Sequence, residues 1–265
     1  MAEDTGGRRA VITGSTFSTT SMGYATAKAL AGAGTAVVLN GRDEDHVAVA
    51  AACLREQVPA ASVTAVAADV ATASGVEQLI AAVPETDILV NNAGAPEPKD
   101  FFEIADDDWE RQFQLHVMAG VRLSRHYAQG MRARRWGRIL FNASDTGGFA
   151  LGEMVHYGTT KTALLGLSRG LAESLRGTGV TVNAFLPGPT RERPGDALTP
   201  GGREMPAEEF SREEEAIFAG LPSLLGRFIS PTEIASVVAF LASAEASAIT
   251  GAAVRIDGGI VRSIL

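Results

Sequence analysis

Ala10-Val11-Ile12-Thr13-Gly14-Ser15-Thr16-Phe17-Ser18-Thr19-Thr20-Ser21-Met22-Gly23-Tyr24-Ala25 decides the architecture. Three apolar residues read as a short buried strand, Gly14 opens a turn rich in hydroxyls, and a helix begins at Met22. Such a turn presents free backbone N–H groups and the positive end of a helix dipole, which together suit a pyrophosphate. Taken alone the stretch also fits an ordinary strand-to-helix turn, because no residue between Gly14 and Gly23 is a glycine.

The same alternation continues along the chain. The first helix is expected over 22–32, with strands at 36–40, 63–67 and 88–90 and a helix over 77–83. A long helix is expected over 106–135, with Asp106 as its N-cap and Gly137 stopping it. Strand 138–141, helix 156–176 and strand 180–185 follow. The end of the chain reads as helix 231–242, opened by Pro231 and capped by Ser230 or Thr232, then strand 253–256. Regular alternation of this kind predicts a single-domain, Rossmann-type α/β fold, a doubly wound parallel sheet of about seven strands. Ligands in that architecture sit beyond the carboxyl ends of the strands.

The segment 188–225 breaks the rhythm with Pro, Gly and charge, including Arg191, Glu192, Arg193 and Glu213-Glu214-Glu215. It reads either as a solvated connection, partly helical over 206–218, or as a lid over a substrate site.

Composition excludes several classes. The 265 residues carry a net charge of −8, which argues against a nucleic-acid footprint or an anionic membrane surface. The basic cluster 132–138 reads as a helix C-terminus meeting its dipole. The single Cys53 rules out an internal disulfide, and His46, His116, His126 and His156 show no metal-ligand spacing. No apolar run is long enough to span a bilayer and residues 1–9 do not read as a secretory signal, so a cytoplasmic protein is expected.

Tyr157-Gly158-Thr159-Thr160-Lys161 carries the chemistry. Residues four apart on a helix differ by about 40° around its axis, so Tyr157 and Lys161 can face one pocket. An ammonium there favours the phenolate, and a phenol of lowered pKa exchanges protons near neutral pH. Ser144 could hold the same substrate oxygen. An incidental pair on an amphipathic helix is the alternative from spacing alone.

Cofactor positions follow from the strand ends. Asn40-Gly41-Arg42 offers no carboxylate for a ribose 2′-hydroxyl, whereas Arg42 could pair with a 2′-phosphate, pointing to NADP(H) before NAD(H). Arg42 could equally be a surface residue starting the next helix. Asp69 could accept from an adenine amine or cap the following helix. Asn91-Asn92-Ala93-Gly94 supplies a tight turn where backbone can approach a ligand.

Together these residues make the chain resemble the short-chain dehydrogenase/reductase family. The matches run nearly end to end: Thr13-Gly14, Asp69-Val70, Asn91-Asn92-Ala93-Gly94, Ser144, Tyr157 with Lys161, Asn183, Pro187-Gly188 and Asp257-Gly258-Gly259. The resemblance implies Tyr157 as general acid/base, with Lys161 lowering its pKa and holding the nicotinamide ribose, and Ser144 orienting the substrate oxygen. It places Gly14, Ser15, Ser21, Met22 and Gly23 at the phosphates and Asp69 and Val70 at the adenine. Asn91, Ala93 and Gly94 would line the cofactor, Pro187 and Gly188 would border the nicotinamide, and Thr190 could bond its carboxamide. A homotetramer or homodimer joined through helices 106–135 and 156–176 is also implied.

Two departures stand out. The family's glycine turn, TGxxxGxG, is about three residues longer here, with Ser21 where the second glycine aligns and Gly23 where the third does. A longer turn ending in Ser resembles the enoyl-reductase branch, but that branch spaces its Tyr and Lys by seven, so the site here is of the carbonyl-reducing type. Second, the family places an Asn seven residues after a Trp on the long helix; counted from Trp109, that position is His116. An imidazole there could serve the proton relay and titrate near neutral pH, or could only pack.

The expected function is NADPH-dependent reduction of a ketone to a secondary alcohol, or the reverse. Reduction of an imine or a conjugated C=C bond is the variant, and a non-catalytic NADP-binding redox sensor is the reading from another class. Phe149, Leu151, Met154 and Val155, with Phe210, Ile217 and Phe218, suggest a mostly apolar small-molecule substrate. Asp145 and Glu153 would add polar contacts or face solvent.

Overall fold

Strands β1 (Arg9–Ile12), β2 (Ala36–Gly41), β3 (Val63–Ala67), β4 (Ile88–Asn91), β5 (Gly137–Asn142), β6 (Val180–Pro187) and β7 (Ala253–Ile256) form one sheet in the computed structural model. The structure describes residues 7–16, 21–192, 207–221 and 223–264. Strand order is β3-β2-β1-β4-β5-β6-β7, and every neighbouring pair is parallel. The chain winds outward from β1 to β3, then returns to lay β4 against the other side of β1. Ile12 therefore pairs with Leu39 on one side and Val90 on the other, and a crevice opens beyond the strand ends where the winding reverses.

Both faces of the sheet are covered, which is why its strands read as apolar runs rather than alternating ones. Ala10 and Ile12 point to one face and pack with α1 (Met22–Gly32), α2 (Glu44–Gln57) and α8 (Pro231–Ala242). Val11 points to the other, with α3 (Ala73–Ala82), α5 (Ala119–Ala133) and α6 (Val155–Ser174). Fully burying a side chain the size of Ile12 or Val11 stabilises the fold by roughly 1.5–3 kcal/mol before entropy is counted.

Helix α2 was not singled out in the sequence. Asp43 caps it, accepting from the His46 N–H at 2.9 Å. The long helix begins as expected, but Asp106 is its first helical residue; Asp108 reaches back to accept from the Ala105 N–H at 3.1 Å. It is also not uniform: α4 (Asp106–Phe113) passes through one wide π turn, Gln114–Met118, before α5. Its stop is Arg135, held at φ 56°, and not Gly137, which already belongs to β5. A Cβ on Gly137 would lie 2.6 Å from the Met131 side chain, so that glycine serves close packing. Arg138, read as part of a helix-end cluster, is buried against the Trp136 ring and donates to the Ser243 carbonyl.

Of the segment 188–225, residues 193–206 and 222 lie outside the described residues. Helix α7 (Ala207–Gly220) is anchored rather than loose. Phe210 and Phe218 pack their rings edge-on against Phe228, at 5.4 and 5.5 Å between centroids. Arg191 pairs with Glu213, and the Phe228 N–H donates to Glu214 at 2.7 Å. Two of the residues expected to line an apolar pocket thus spend their rings on this small core.

Candidate active site

The crevice is built by a network that ties three strand ends together. The Thr13 hydroxyl oxygen accepts from the N–H groups of Asn92 and Ala93, both at 3.0 Å. The Asn92 amide donates to the carbonyls of Thr13 and Gly14, and its oxygen accepts from the Asn142 amide. Gly14, at φ 62°, brings its backbone against Ala93, and a Cβ there would sit 2.8 Å from Ala93 Cα. Gly23 is tighter still: a Cβ would meet the Gly14 carbonyl at 2.2 Å and the Asn92 amide at 2.7 Å. The N-terminus of α1 is thereby pressed onto the end of β1, with Ser21 in the left-handed conformation before it.

This cradle fits a dinucleotide: a helix N-terminus at the switch point of the sheet, with backbone where side chains would collide. Its chemistry differs from the expectation at Ser15. The Ser15 N–H donates to the Asn40 carbonyl, its hydroxyl donates to Ile12, and that oxygen accepts from the Asn40 N–H. Ser15 therefore holds β2 against the turn and has nothing left for a phosphate. Arg42, just past β2, is exposed and forms no ion pair among the described residues. Asp69 accepts from the Ala71 N–H, while Thr72 is what caps α3. Val70 is buried, and Asn91 lies at the end of β4 with a buried side-chain oxygen that has no hydrogen-bond partner among the described residues. Met22 and Gly23 open α1, and Gly188 follows Pro187 at the end of β6, donating its N–H to Ile256. The Thr190 hydroxyl donates to the Gly188 carbonyl at 2.8 Å.

Beyond β5 the chain turns sharply at Ser144, whose φ of 53° and ψ of 159° are a glycine-like backbone conformation. A conformation of that kind costs about 1–3 kcal/mol and survives only where surroundings impose it. Here the Ser144 N–H donates to the Asn142 side chain and the Ser144 hydroxyl donates to Asp145 at 3.0 Å. Facing this turn, the first turns of α6 carry Tyr157 and Lys161, both buried. The Lys161 Nζ lies 5.3 Å from the centre of the Tyr157 ring and donates to the Asn142 carbonyl at 2.9 Å.

The electrostatics differ from a simple ammonium-phenolate pair. Burial pushes the Tyr157 phenol up to about 12, with Ser144 hydrogen bonding in the opposite sense and Asp145 adding to the rise. Burial also pulls Lys161 down to about 7. Desolvation penalises the charged form of each, so it outweighs the acidifying effect expected of the lysine. The phenol is thus held as a proton donor.

His116 sits behind the lysine, at the π turn. Thr160 donates its hydroxyl proton to the Tyr157 carbonyl, so the 2.7 Å contact between His116 Nδ1 and Thr160 assigns the imidazole proton to Nδ1. Nε2 is left as a buried acceptor with no partner among the described residues. A Cβ on Gly94 would lie 2.8 Å from that nitrogen and 3.2 Å from Lys161 Nζ, so both border one spot. Burial, then the charges of Lys161 and His156, lower His116 to about 2. The imidazole stays neutral, so of the readings the sequence left open, titration near neutrality is not the one the structure supports.

Sequence reasoning missed the structural roles of Thr13, Asn92 and Asn142, whose side chains knit the strand ends. Their signal was position alone, one polar residue at the end of each of three apolar strands. Asp145, left between pocket and solvent, proves buried, and burial raises its carboxyl to about 6.

The family model described as enoyl-(acyl carrier protein) reductase matches residues 17–261. By this match, its fold and its site, the chain belongs to the short-chain dehydrogenase/reductase family and is an oxidoreductase. It is 43% identical to the uncharacterized oxidoreductase YvaG of Bacillus subtilis (strain 168), over 97% of each chain. Among solved structures it is similar to L-sorbose reductase from Gluconobacter frateurii complexed with NADPH and L-sorbose, at a TM-score of 0.87 and 34% identity over 100% of each chain. It is also similar to a point variant of actinorhodin polyketide ketoreductase with NADPH, at a TM-score of 0.82 and 29% identity over 97% of this chain and 98% of that one. No described helix is long and apolar enough to cross a membrane.

Proposed function

We propose that the protein reduces a ketone to a secondary alcohol with NADPH, or runs the reverse reaction, and that Tyr157 is the general acid/base. The observation that carries this reading is the buried meeting of Ser144, Tyr157 and Lys161 beside a dinucleotide cradle. When bound, NADPH supplies the hydride. The backbone around Gly14, Ser21, Met22 and Gly23 would hold its phosphates, Arg42 its 2′-phosphate, and Asp69 and Val70 its adenine. Asn91, Ala93, Gly94, Pro187, Gly188 and Thr190 would line the nicotinamide end.

Ser144 and Tyr157 would both bond the substrate oxygen, and Tyr157 gives it the proton. Buried and un-ionised, the phenol is in the state that reduction requires. Lys161, fixed by the Asn142 carbonyl, replenishes that proton. The neutral His116 Nε2 offers an acceptor at the far side of the lysine, where a water can be held. His116 is therefore a positioning residue in this reading, behind the three that face the substrate.

A second reading, reduction of a conjugated C=C bond, is favoured by the description of the matching family model. The substrate wall is polar as well as apolar, since Asp145 is buried beside Ser144. That mixture, with the likeness to a reductase holding L-sorbose, extends the substrate class from apolar ketones to polyhydroxy ones. We also propose a cytoplasmic homotetramer or homodimer joined through α4–α5 and α6.

The test is fluorescence titration with NADPH and NADH, followed by turnover on L-sorbose, a 3-oxoacyl thioester, an enoyl thioester and a cyclic imine. Tighter binding of NADPH and turnover of a ketone are expected. Turnover of the enoyl thioester or the imine alone would favour the variant reaction, and binding with no turnover would favour a redox sensor.

A further inference from the structure

Ser144 has one hydroxyl proton, and Asp145 takes it. Its Oγ donates to Asp145 Oδ1 at 3.0 Å and accepts from the Thr146 N–H at 3.4 Å. Asp145 Oδ1 also accepts from the Thr146 N–H at 2.8 Å. The carboxyl group is buried, and no lysine or arginine among the described residues pairs with it. The titratable groups that face it are Tyr157 on α6 and Asp257 in the segment after β7. Asp257 turns its own oxygens to the Gly259 and Val261 N–H groups.

An ionised carboxylate accepts and cannot donate, so it draws the Ser144 proton to itself. Ser144 then presents only lone pairs to the substrate oxygen, a good partner for an alcohol but a poor one for a ketone. A protonated carboxyl releases that hold and can itself donate to Ser144, freeing the Ser144 proton for a carbonyl oxygen. The strained backbone at Ser144 keeps the hydroxyl in place while its proton changes partner.

We propose that Asp145 is a positioning residue that decides, by its own protonation, whether Ser144 donates to or accepts from the substrate oxygen. Ketone reduction gains the second donor when Asp145 is neutral and loses it when Asp145 is ionised. The burial that lifts Asp145 to about 6 places this change inside the range of cellular pH. The inference rests on the ketone-reductase reading above, and it adds a control that a carbon side chain after Ser144 could not supply.

The experiment has two arms. In the first, kcat/KM for NADPH-dependent reduction of L-sorbose, or of the 3-oxoacyl thioester if that is the better substrate, is measured from pH 5 to 8. The protein should lose about three- to tenfold activity as pH rises through about 6, a loss the size of one hydrogen bond. Asp145→Asn should lose the step near pH 6 and keep only the limb near pH 7 that follows Lys161, with NADPH affinity unchanged; Asp145→Ser is the second variant should the first fold poorly. In the second arm, carbon-13 NMR follows the aspartate carboxyls, with Asp145→Asn assigning the resonance. Ser144→Ala should raise the Asp145 midpoint, because it removes a donor to the carboxylate.

Turnover with the same pH step in Asp145→Asn, or a midpoint unmoved by Ser144→Ala, would overturn the proposal. Absence of turnover on every compound would defeat the ketone-reductase reading instead, and the NMR arm would still decide the Ser144–Asp145 link.

Discussion

Tyr157 and Lys161 share one face of α6, buried and 5.3 Å apart from Nζ to ring centre. What spacing could not carry was the balance of forces. Desolvation raises the phenol and lowers the lysine, and its size depends on how completely α6 and the turn after β5 cover them. His116 teaches the same lesson, since an imidazole that could titrate near neutrality is held neutral by burial. A relay role therefore rests on its unpartnered Nε2. Replacing His116 by Asn should leave the enzyme active but remove an acceptor that favours protonated Lys161. The kinetic limb near pH 7 that follows Lys161 should then move to lower pH by about half a unit, the equivalent of roughly 0.7 kcal/mol. A profile identical to that of the unaltered protein would mean that His116 only packs.

At the scale of elements, strand and helix positions were legible because each apolar run is bounded by Gly, Pro or a polar residue. Strand β3, strand β7 and helix α8 fall where the sequence placed them. The π turn at Gln114–Met118 was not legible, because hydrophobic periodicity does not register one extra residue in a turn. Helix α7 was legible in part: its charge suggested solvent, whereas Glu213 and Glu214 are tied to Arg191 and Phe228. The meeting of β1 and α1 makes the sharpest demand on one residue. Gly23→Ala would drive a methyl group into the Gly14 carbonyl and the Asn92 amide, neither of which can swing away. We expect a loss of about 1–3 kcal/mol in stability from overpacking and at least about tenfold weaker NADPH binding, a further ~1.4 kcal/mol. Thermal melts and a fluorescence titration measure both. Binding equal to that of the unaltered protein would mean that this turn is not the phosphate cradle.

Across the whole molecule, alternation predicted a doubly wound parallel sheet, and the order β3-β2-β1-β4-β5-β6-β7 follows. That order brings residues far apart in sequence, Thr13, Asn92, Asn142 and Ser144, to one rim. No local pattern contains this, because the hydrogen bonds from Asn92 to Thr13 and from Asn142 to Asn92 join strands that are neighbours only after folding. The substrate wall was less legible for the same reason. Asp145 follows Ser144 in sequence, yet its burial depends on α6 and on the segment around Asp257 closing over it. In the proposed reaction this rim transfers a proton through one phenol. Tyr157→Phe, assayed with NADPH and the best ketone of the panel and titrated with NADPH in parallel, measures its part. We predict that turnover falls by about 10²–10⁴-fold, the usual contribution of a general acid, while NADPH affinity is largely kept. Turnover within a few-fold of the unaltered protein would mean that another group carries the proton.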